Sequence, residues 1–89
     1  MDQPSGKSWF VYILRCADGS FYTGITTDLS RRCRQHNDGT ASRYTRSRVP
    51  TKLVYREGQA NRSLALKREA AIKALTRLKK ESLIEQAAI

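Results

Sequence analysis

An unbroken apolar run from Trp9 to Leu14, followed by Ala17-Asp18-Gly19 and then by Ser20 to Ile25, constrains this chain more than any other feature. Apolar residues on both alternating faces belong to a strand covered on both sides, so Trp9 to Cys16 reads as a central strand. Ala17-Asp18-Gly19 is a turn signal and Ser20 to Ile25 a second short strand, so the two pair as a hairpin.

The length of the hairpin loop decides which side chains share a face. A two-residue Asp18-Gly19 turn pairs Ala17 with Ser20 and puts Tyr12 and Tyr22 on opposite faces. A three-residue loop, with Ala17 and Asp18 in a type I turn and Gly19 left-handed, pairs Cys16 with Ser20 and puts both tyrosines on one face. Composition leaves both open.

Downstream, Asp28 is a suitable N-cap for a helix from Leu29 to about Asn37, stopped by Asp38-Gly39. Leu29 and Cys33 are its expected inward positions, while Arg32 and His36 are neighbours four residues apart and can converge on one ligand. Ser42 to Arg48 is polar and basic, and Pro50 disfavours helix just before it, so a loop with one helical turn is expected. Lys52 to Glu57 reads as a third strand. From Asn61, the spacing of Leu64, Ala71, Leu75 and Leu78 predicts one long amphipathic helix to about Leu78. Glu69 then falls roughly 140° from the centre of that stripe, near its polar border. A last helical segment, Lys79 to Ala88, is anchored by Leu83 and Ile84.

The elements therefore run β-β-α, a short helical turn, then β-α-α. With 89 residues there is material for one core, because so short a chain buries only a little over half of its unfolded surface. Residues 1–8 are expected to be a flexible polar lead and 9–89 a single domain.

Charge narrows the function. Seventeen Lys and Arg against eight Asp and Glu give a formal charge of +9 and a pI near 10.2, a strong bias toward polyanions. The basic residues cluster from Arg31 to Arg56 and from Arg62 to Lys80, each stretch holding a single acid, Asp38 and Glu69 respectively. Nucleic acid is the expected partner, with salt-dependent binding. Cys16 and Cys33 lack zinc-ligand spacing and read as free thiols of a reducing compartment. No apolar run is long enough to span a bilayer, and Met1 to Ser8 lacks a signal-type apolar stretch, so a cytoplasmic location without membrane association is expected.

The order Phe10-Val11-Tyr12, Tyr22-Thr23-Gly24, Arg32, His36 and then Glu69 resembles the GIY-YIG nuclease superfamily from about Phe10 to Ile84. It is most like the small single-domain bacterial members, because Ala41-Ser42-Arg43-Tyr44-Thr45-Arg46 before Pro50 and Leu53-Val54-Tyr55 is similar to their middle segment. The resemblance implies an α/β (α+β) fold with a three-stranded sheet flanked by helices. It also implies one active site, in which Tyr12 and Tyr22 match the motif tyrosines, Arg32 the arginine, His36 the His-or-Tyr position and Glu69 the metal-binding glutamate. Only the three-residue loop brings Tyr12 and Tyr22 together, so the resemblance favours it. Phe10 stands where the first motif has glycine, and Thr23 where the second has an aliphatic residue. Many family nucleases also carry an asparagine after the glutamate helix, and this chain has none beyond Asn61; either another group substitutes or catalysis is weak.

The implied reaction is metal-dependent endonuclease hydrolysis of DNA rather than RNA, in a repair or DNA-processing setting and with selectivity for flexible or branched structures. Such hydrolysis needs an activated water, charge neutralisation at phosphorus and help for the leaving oxygen. Arg32 can clamp phosphate, and Glu69 can hold one Mg²⁺ or Mn²⁺ that keeps most of its waters. With cations nearby to stabilise its phenolate, Tyr12 is the expected water activator, with His36 assisting and Tyr22 orienting phosphate or water. Arg31, Arg43, Arg46, Arg48 and Lys73 are expected to hold nucleic-acid backbone, and Tyr44 to stack on an unpaired base. A monomer or weak dimer is expected, with a protein partner as one source of specificity. The rival reading is a non-catalytic nucleic-acid-binding module that keeps the fold and basic surface. Taken singly, each site residue also has a plainer role; Glu69, for example, can simply pair with Lys73 one turn on.

Overall fold

The structure, a computed structural model, describes residues 8–87. The lead 1–7 and Ala88, the expected end of the last helix, lie outside the described residues. Three strands, β1 (Trp9–Arg15), β2 (Phe21–Thr26) and β3 (Lys52–Gln59), form an antiparallel sheet in the order β2-β1-β3. Four helices join them: α1 (Leu29–Asp38), α2 (Arg43–Arg46), α3 (Arg62–Lys73) and α4 (Arg77–Ala87). This is the expected α+β arrangement, with β1 in the centre.

The hairpin takes the three-residue form. Arg15 faces Phe21 in the register, and the Cys16 amide donates to Ser20 O at 2.8 Å. Gly19 sits at φ 86°, a left-handed conformation that a side chain would resist. Asp18 Oδ1 accepts from the Ser20 amide at 3.0 Å and so pins the loop. This parity places Tyr12, Leu14, Tyr22 and Gly24 on one face of the sheet, and Val11, Ile13, Phe21 and Ile25 on the other. The second set meets α3 and α4 in the core: Val11, Ile13, Ala65 and Ile72 are buried, with Leu83 and Ile84 packed against them. Burying each large aliphatic side chain contributes roughly 1.5–3 kcal/mol. Leu83 and Ile84 thus anchor α4 as their sequence positions indicate.

The break between the last two helices falls earlier than predicted, between Lys73 and Arg77 rather than after Leu78. The Ala74 amide closes α3 on Ala70 O at 3.1 Å, and the Thr76 side chain then accepts from the Lys79 amide at 3.2 Å, capping a new helix. The predicted apolar stripe is also misplaced. Leu64 and Leu78 are exposed, the latter at 77%, whereas Ala65 and Ile72 are fully buried. The face turned to the sheet is Ala65, Arg68, Glu69 and Ile72, at the spacing i, i+3, i+4, i+7. Glu69 therefore lies within the packed face rather than at a polar border.

On α1, Asp28 caps as expected, accepting from the Arg31 amide at 3.0 Å, and Gly39 ends the helix at φ 82°. The innermost residue is His36, fully buried, with Leu29 and Cys33 only half-buried. His36 continues the series Leu29, Cys33 by one more step of the helical period. Asn37 links α1 to the start of β3: its amide oxygen accepts from the Thr51 amide at 2.7 Å, and its amide nitrogen donates to Thr51 O at 3.2 Å.

Candidate active site

Tyr12, Tyr22 and His36 converge on the face of the sheet covered by α1 and α2. Tyr12 is 2% exposed, and its hydroxyl lies 2.8 Å from His36 Nε2. His36 Nδ1 is in turn 2.8 Å from Thr45 Oγ1, and both His36 and Thr45 are 0% exposed. The ring of Tyr22, half-buried, is centred 4.9 Å from that of His36 and 6.4 Å from that of Tyr12. Tyr44 extends the cluster outward, its ring 6.1 Å from that of Tyr22 at an interplanar angle of 26°.

Gly24 makes this packing possible. A Cβ at that position would lie 2.6 Å from the Tyr12 hydroxyl oxygen and 2.8 Å from Cζ. The phenol ring, held by burial and by His36, has nowhere to retreat, so only glycine fits beneath it.

The electrostatics join the remaining residues to this cluster. Burial pushes the Tyr12 phenol well above its ordinary value; Tyr22, Cys33 and Glu69 push the same way, and Arg32 opposes them. Arg32 and Glu69 thus both act on the Tyr12 hydroxyl, although they reach it from α1 and α3. Burial first, and then the Arg32 charge, holds His36 down at about 4, so it is neutral at physiological pH. Among the protein's own groups, loss of solvent outweighs the help from Arg32, so the Tyr12 phenol holds its proton unless a bound cation adds to that help. Both ring nitrogens of His36 face buried protein oxygens.

Linkage gives His36 a measurable signature. Its folded value lies below the ordinary 6.5, so the unfolded chain takes up the proton first on acidification. Stability from this group is complete above about pH 6.5 and is lost as pH falls toward about 4, at a slope approaching 1.4 kcal/mol per unit. It is the only histidine of the chain, and no other side chain ordinarily titrates between about pH 5 and 6.5. Urea unfolding should therefore show a loss of about 2 kcal/mol between about pH 7 and pH 5, and a His36→Gln variant should lack that slope.

Arg32 is half-buried beside Arg31 in a small polar cavity of about 150 Å³ that Thr26, Thr27, Asp28 and Gln35 complete. Among the described residues its guanidinium has no side-chain hydrogen-bond partner. Glu69, its side chain 18% exposed, pairs with Lys73 Nζ at 3.3 Å. Lys73 is thus engaged with Glu69, and a cation taken up by that carboxylate competes with this ammonium. Among the described residues no three His, Cys, Asp or Glu side chains gather into a metal-binding group. One carboxylate with solvent access fits a hydrated Mg²⁺ or Mn²⁺ completed by water and phosphate oxygens, and it does not fit an all-protein cage.

Several expected backbone contacts have other partners here. Arg48 donates to Asp18 Oδ2 at 3.0 Å and to Tyr44 O at 2.8 Å, and its guanidinium lies 3.9 Å over the Tyr44 ring. It is a strut between the hairpin loop and α2, and it already covers part of the ring expected to receive a base. Arg77, across the loop, donates to Gly19 O at 2.8 Å. Arg31, Arg43 and Arg46 are exposed, and none has a carboxylate partner among the described residues. Thr45 belongs to the cluster around His36, although its only signal in the sequence is its place in the segment Ala41 to Arg46.

Two tyrosines of one hairpin thus pack on a histidine of α1, with Arg32 on the same helix and Glu69 on α3. The family model described as the GIY-YIG catalytic domain matches residues 8–82, and the chain belongs to the GIY-YIG family, a family of nucleases. Within it the chain is similar to UPF0213 proteins. That of Desulfotalea psychrophila is 53% identical over 85 residues, covering 94% of this chain and 74% of the relative. That of Haloquadratum walsbyi is 52% identical over 77 residues, covering 86% of each. The solution NMR structure of a UPF0213 protein from Bacillus halodurans matches with a TM-score of 0.59 at 42% identity, covering 90% of this chain and 85% of the other. An NMR structure of an E. faecalis protein matches at 0.62 and 44%, covering 91% and 86%. As for location, no helix of the described residues is long and apolar enough to cross a membrane.

Proposed function

We propose that this protein is a metal-dependent endonuclease that hydrolyses phosphodiester bonds of DNA. The observation that carries the reading is the buried hydrogen-bonded chain Tyr12, His36, Thr45. Tyrosines placed only to cover a sheet have no need of a neutral histidine as their buried partner.

The arrangement suits concerted proton transfer. A phosphodiester seats on Arg32, with Arg31, Arg43 and Arg46 holding flanking phosphates. As water attacks phosphorus, its proton passes to the Tyr12 oxygen while the Tyr12 proton passes to His36 Nε2. No free phenolate forms, which matches the high cost of ionising a buried phenol. Arg32 also couples substrate to base: burial is the larger cause of the low His36 value, and a phosphate anion on the Arg32 guanidinium offsets the lesser one, making the imidazole a somewhat better acceptor once substrate is bound. Tyr22, at the solvent side of the cluster, orients water or phosphate. Glu69 would hold a divalent cation, which supplies charge neutralisation at phosphorus and the leaving oxygen. A base this strongly depressed is a poor proton acceptor, so slow turnover is expected.

The test is cleavage of supercoiled plasmid and of single-stranded and branched oligonucleotides in Mg²⁺, Mn²⁺ or EDTA. Cutting that requires the cation supports the reading. Tight, salt-sensitive binding with no cutting on any substrate or metal replaces it with the non-catalytic binding module.

A further inference from the structure

We propose that Thr45 is a positioning residue that dictates which nitrogen of His36 carries the proton, leaving Nε2 free to accept from Tyr12. The inference deepens the nuclease reading and rests on it for its catalytic consequence, though its structural part stands alone.

A neutral imidazole has one N–H donor and one acceptor nitrogen. With Tyr12 on Nε2 and Thr45 on Nδ1, each at 2.8 Å, two arrangements are open. In one, Nδ1–H donates to Thr45 Oγ1 and the Tyr12 hydroxyl donates to Nε2. In the other, Thr45 donates to Nδ1 and Nε2–H donates to the Tyr12 oxygen. The rest of the network distinguishes them. Thr45 Oγ1 also lies 3.4 Å from Ser42 O, a carbonyl that can only accept, so the threonine proton has a destination away from the ring and its lone pair faces Nδ1. The alternative arrangement would require Thr45 to turn that proton from Ser42 O onto Nδ1. The Thr45 end of the chain therefore selects Nδ1–H.

Thr45 can impose this because its own position is fixed. Ser42 caps the single turn of α2, its hydroxyl accepting from the Tyr44 amide at 3.0 Å and the Thr45 amide at 3.4 Å. That turn holds Oγ1 against the imidazole, out of reach of water. A valine would fill the same space and offer no acceptor. Nδ1–H would then be the unpaired group, and the ring would turn to the Nε2–H form, donating to the Tyr12 oxygen. In that form Tyr12 cannot pass its proton to His36.

The experiment reads the tautomer directly by long-range ¹H–¹⁵N correlation on DNA-free protein at neutral pH, where the chain's single histidine gives an unambiguous signal. Wild type and Thr45→Ser should show Nδ1–H, and Thr45→Val should show Nε2–H. In cleavage assays, Thr45→Val should lower the single-turnover rate by about a hundredfold, the lower end of what general acid–base catalysis contributes. DNA affinity should be unchanged and Thr45→Ser should recover most of the rate. An Nε2–H wild type, or a folded Thr45→Val protein that keeps Nδ1–H, overturns the proposal, and the wild-type spectrum decides even if the valine variant does not fold. Should the tautomer switch as expected while no variant cuts DNA, the control of His36 by Thr45 holds and the nuclease reading falls.

Discussion

Replacing Tyr12 with phenylalanine should lower DNA cleavage by about two to four orders of magnitude, the range spanned by general acid–base catalysis, while leaving DNA affinity within about twofold. The substitution removes one atom from a ring that is 2% exposed, so packing against Gly24 and Tyr22 persists. What is lost is the only group bonded to His36 Nε2 among the described residues. That nitrogen becomes a buried orphan acceptor, costing about 1–3 kcal/mol of stability, so the assay belongs well below the midpoint of thermal unfolding. Single-turnover cleavage beside a salt-matched binding titration separates the effects. Equal losses in cutting and binding would show that the hydroxyl supports the DNA-binding surface instead, and would overturn the assignment.

Cleavage by Glu69→Gln, measured at equal DNA occupancy, should fall by about a thousandfold, because an ion that neutralises charge at a reacting phosphate contributes several kcal/mol and each 1.4 kcal/mol is tenfold. Glutamine keeps the size of the side chain within the face of α3 that packs on the sheet, so the fold should survive. DNA binding should hold or strengthen slightly, since Lys73, now paired with Glu69 at 3.3 Å, is released toward phosphate. Binding of Mn²⁺ in the presence of uncleavable DNA gives a readout independent of turnover and should weaken in parallel. Undiminished Mg²⁺-dependent cutting by the variant would place the cation elsewhere.

The two long readings of the sequence, one for the hairpin and one for α3, had different outcomes for a physical reason. Around β1 the signals agree: an apolar run, a turn with a glycine able to adopt φ > 0, and a short following strand. On α3 they conflict. Leu64, Leu66, Ala71, Leu75 and Leu78 offer apolar residues on several sides, and the most conspicuous set follows a stripe that faces outward. The buried stripe includes Arg68 and Glu69, and Arg68 donates to Glu57 Oε2 at 2.9 Å. A polar pair on the inner face disguised that face, because hydropathy registers the charge and not the partner that neutralises it.

The candidate site divides in the same way. Tyr12, Tyr22, Arg32, His36 and Glu69 could be named as candidates because their order along the chain resembles that of a known family. Their roles could not. Arg48 reads as a backbone contact, yet it bonds Asp18, thirty residues away in sequence. Thr45 reads as nothing in particular, and it meets His36 only because α2 folds over α1.

By itself, the sequence determined the central strand, its partner strand, the capped helix α1 and the basic character of the chain. These follow from periodicity, turn stereochemistry and net charge, which act over a few residues or depend on composition alone. Tertiary structure decided the protonation states: His36 is neutral and Tyr12 resists ionisation because the fold leaves both with almost no solvent exposure. It also set the order of the hydrogen-bonded chain, and which of the basic residues remain free to meet a phosphate. Desolvation and hydrogen-bond direction depend on groups brought together from distant parts of the chain, and no local pattern encodes them.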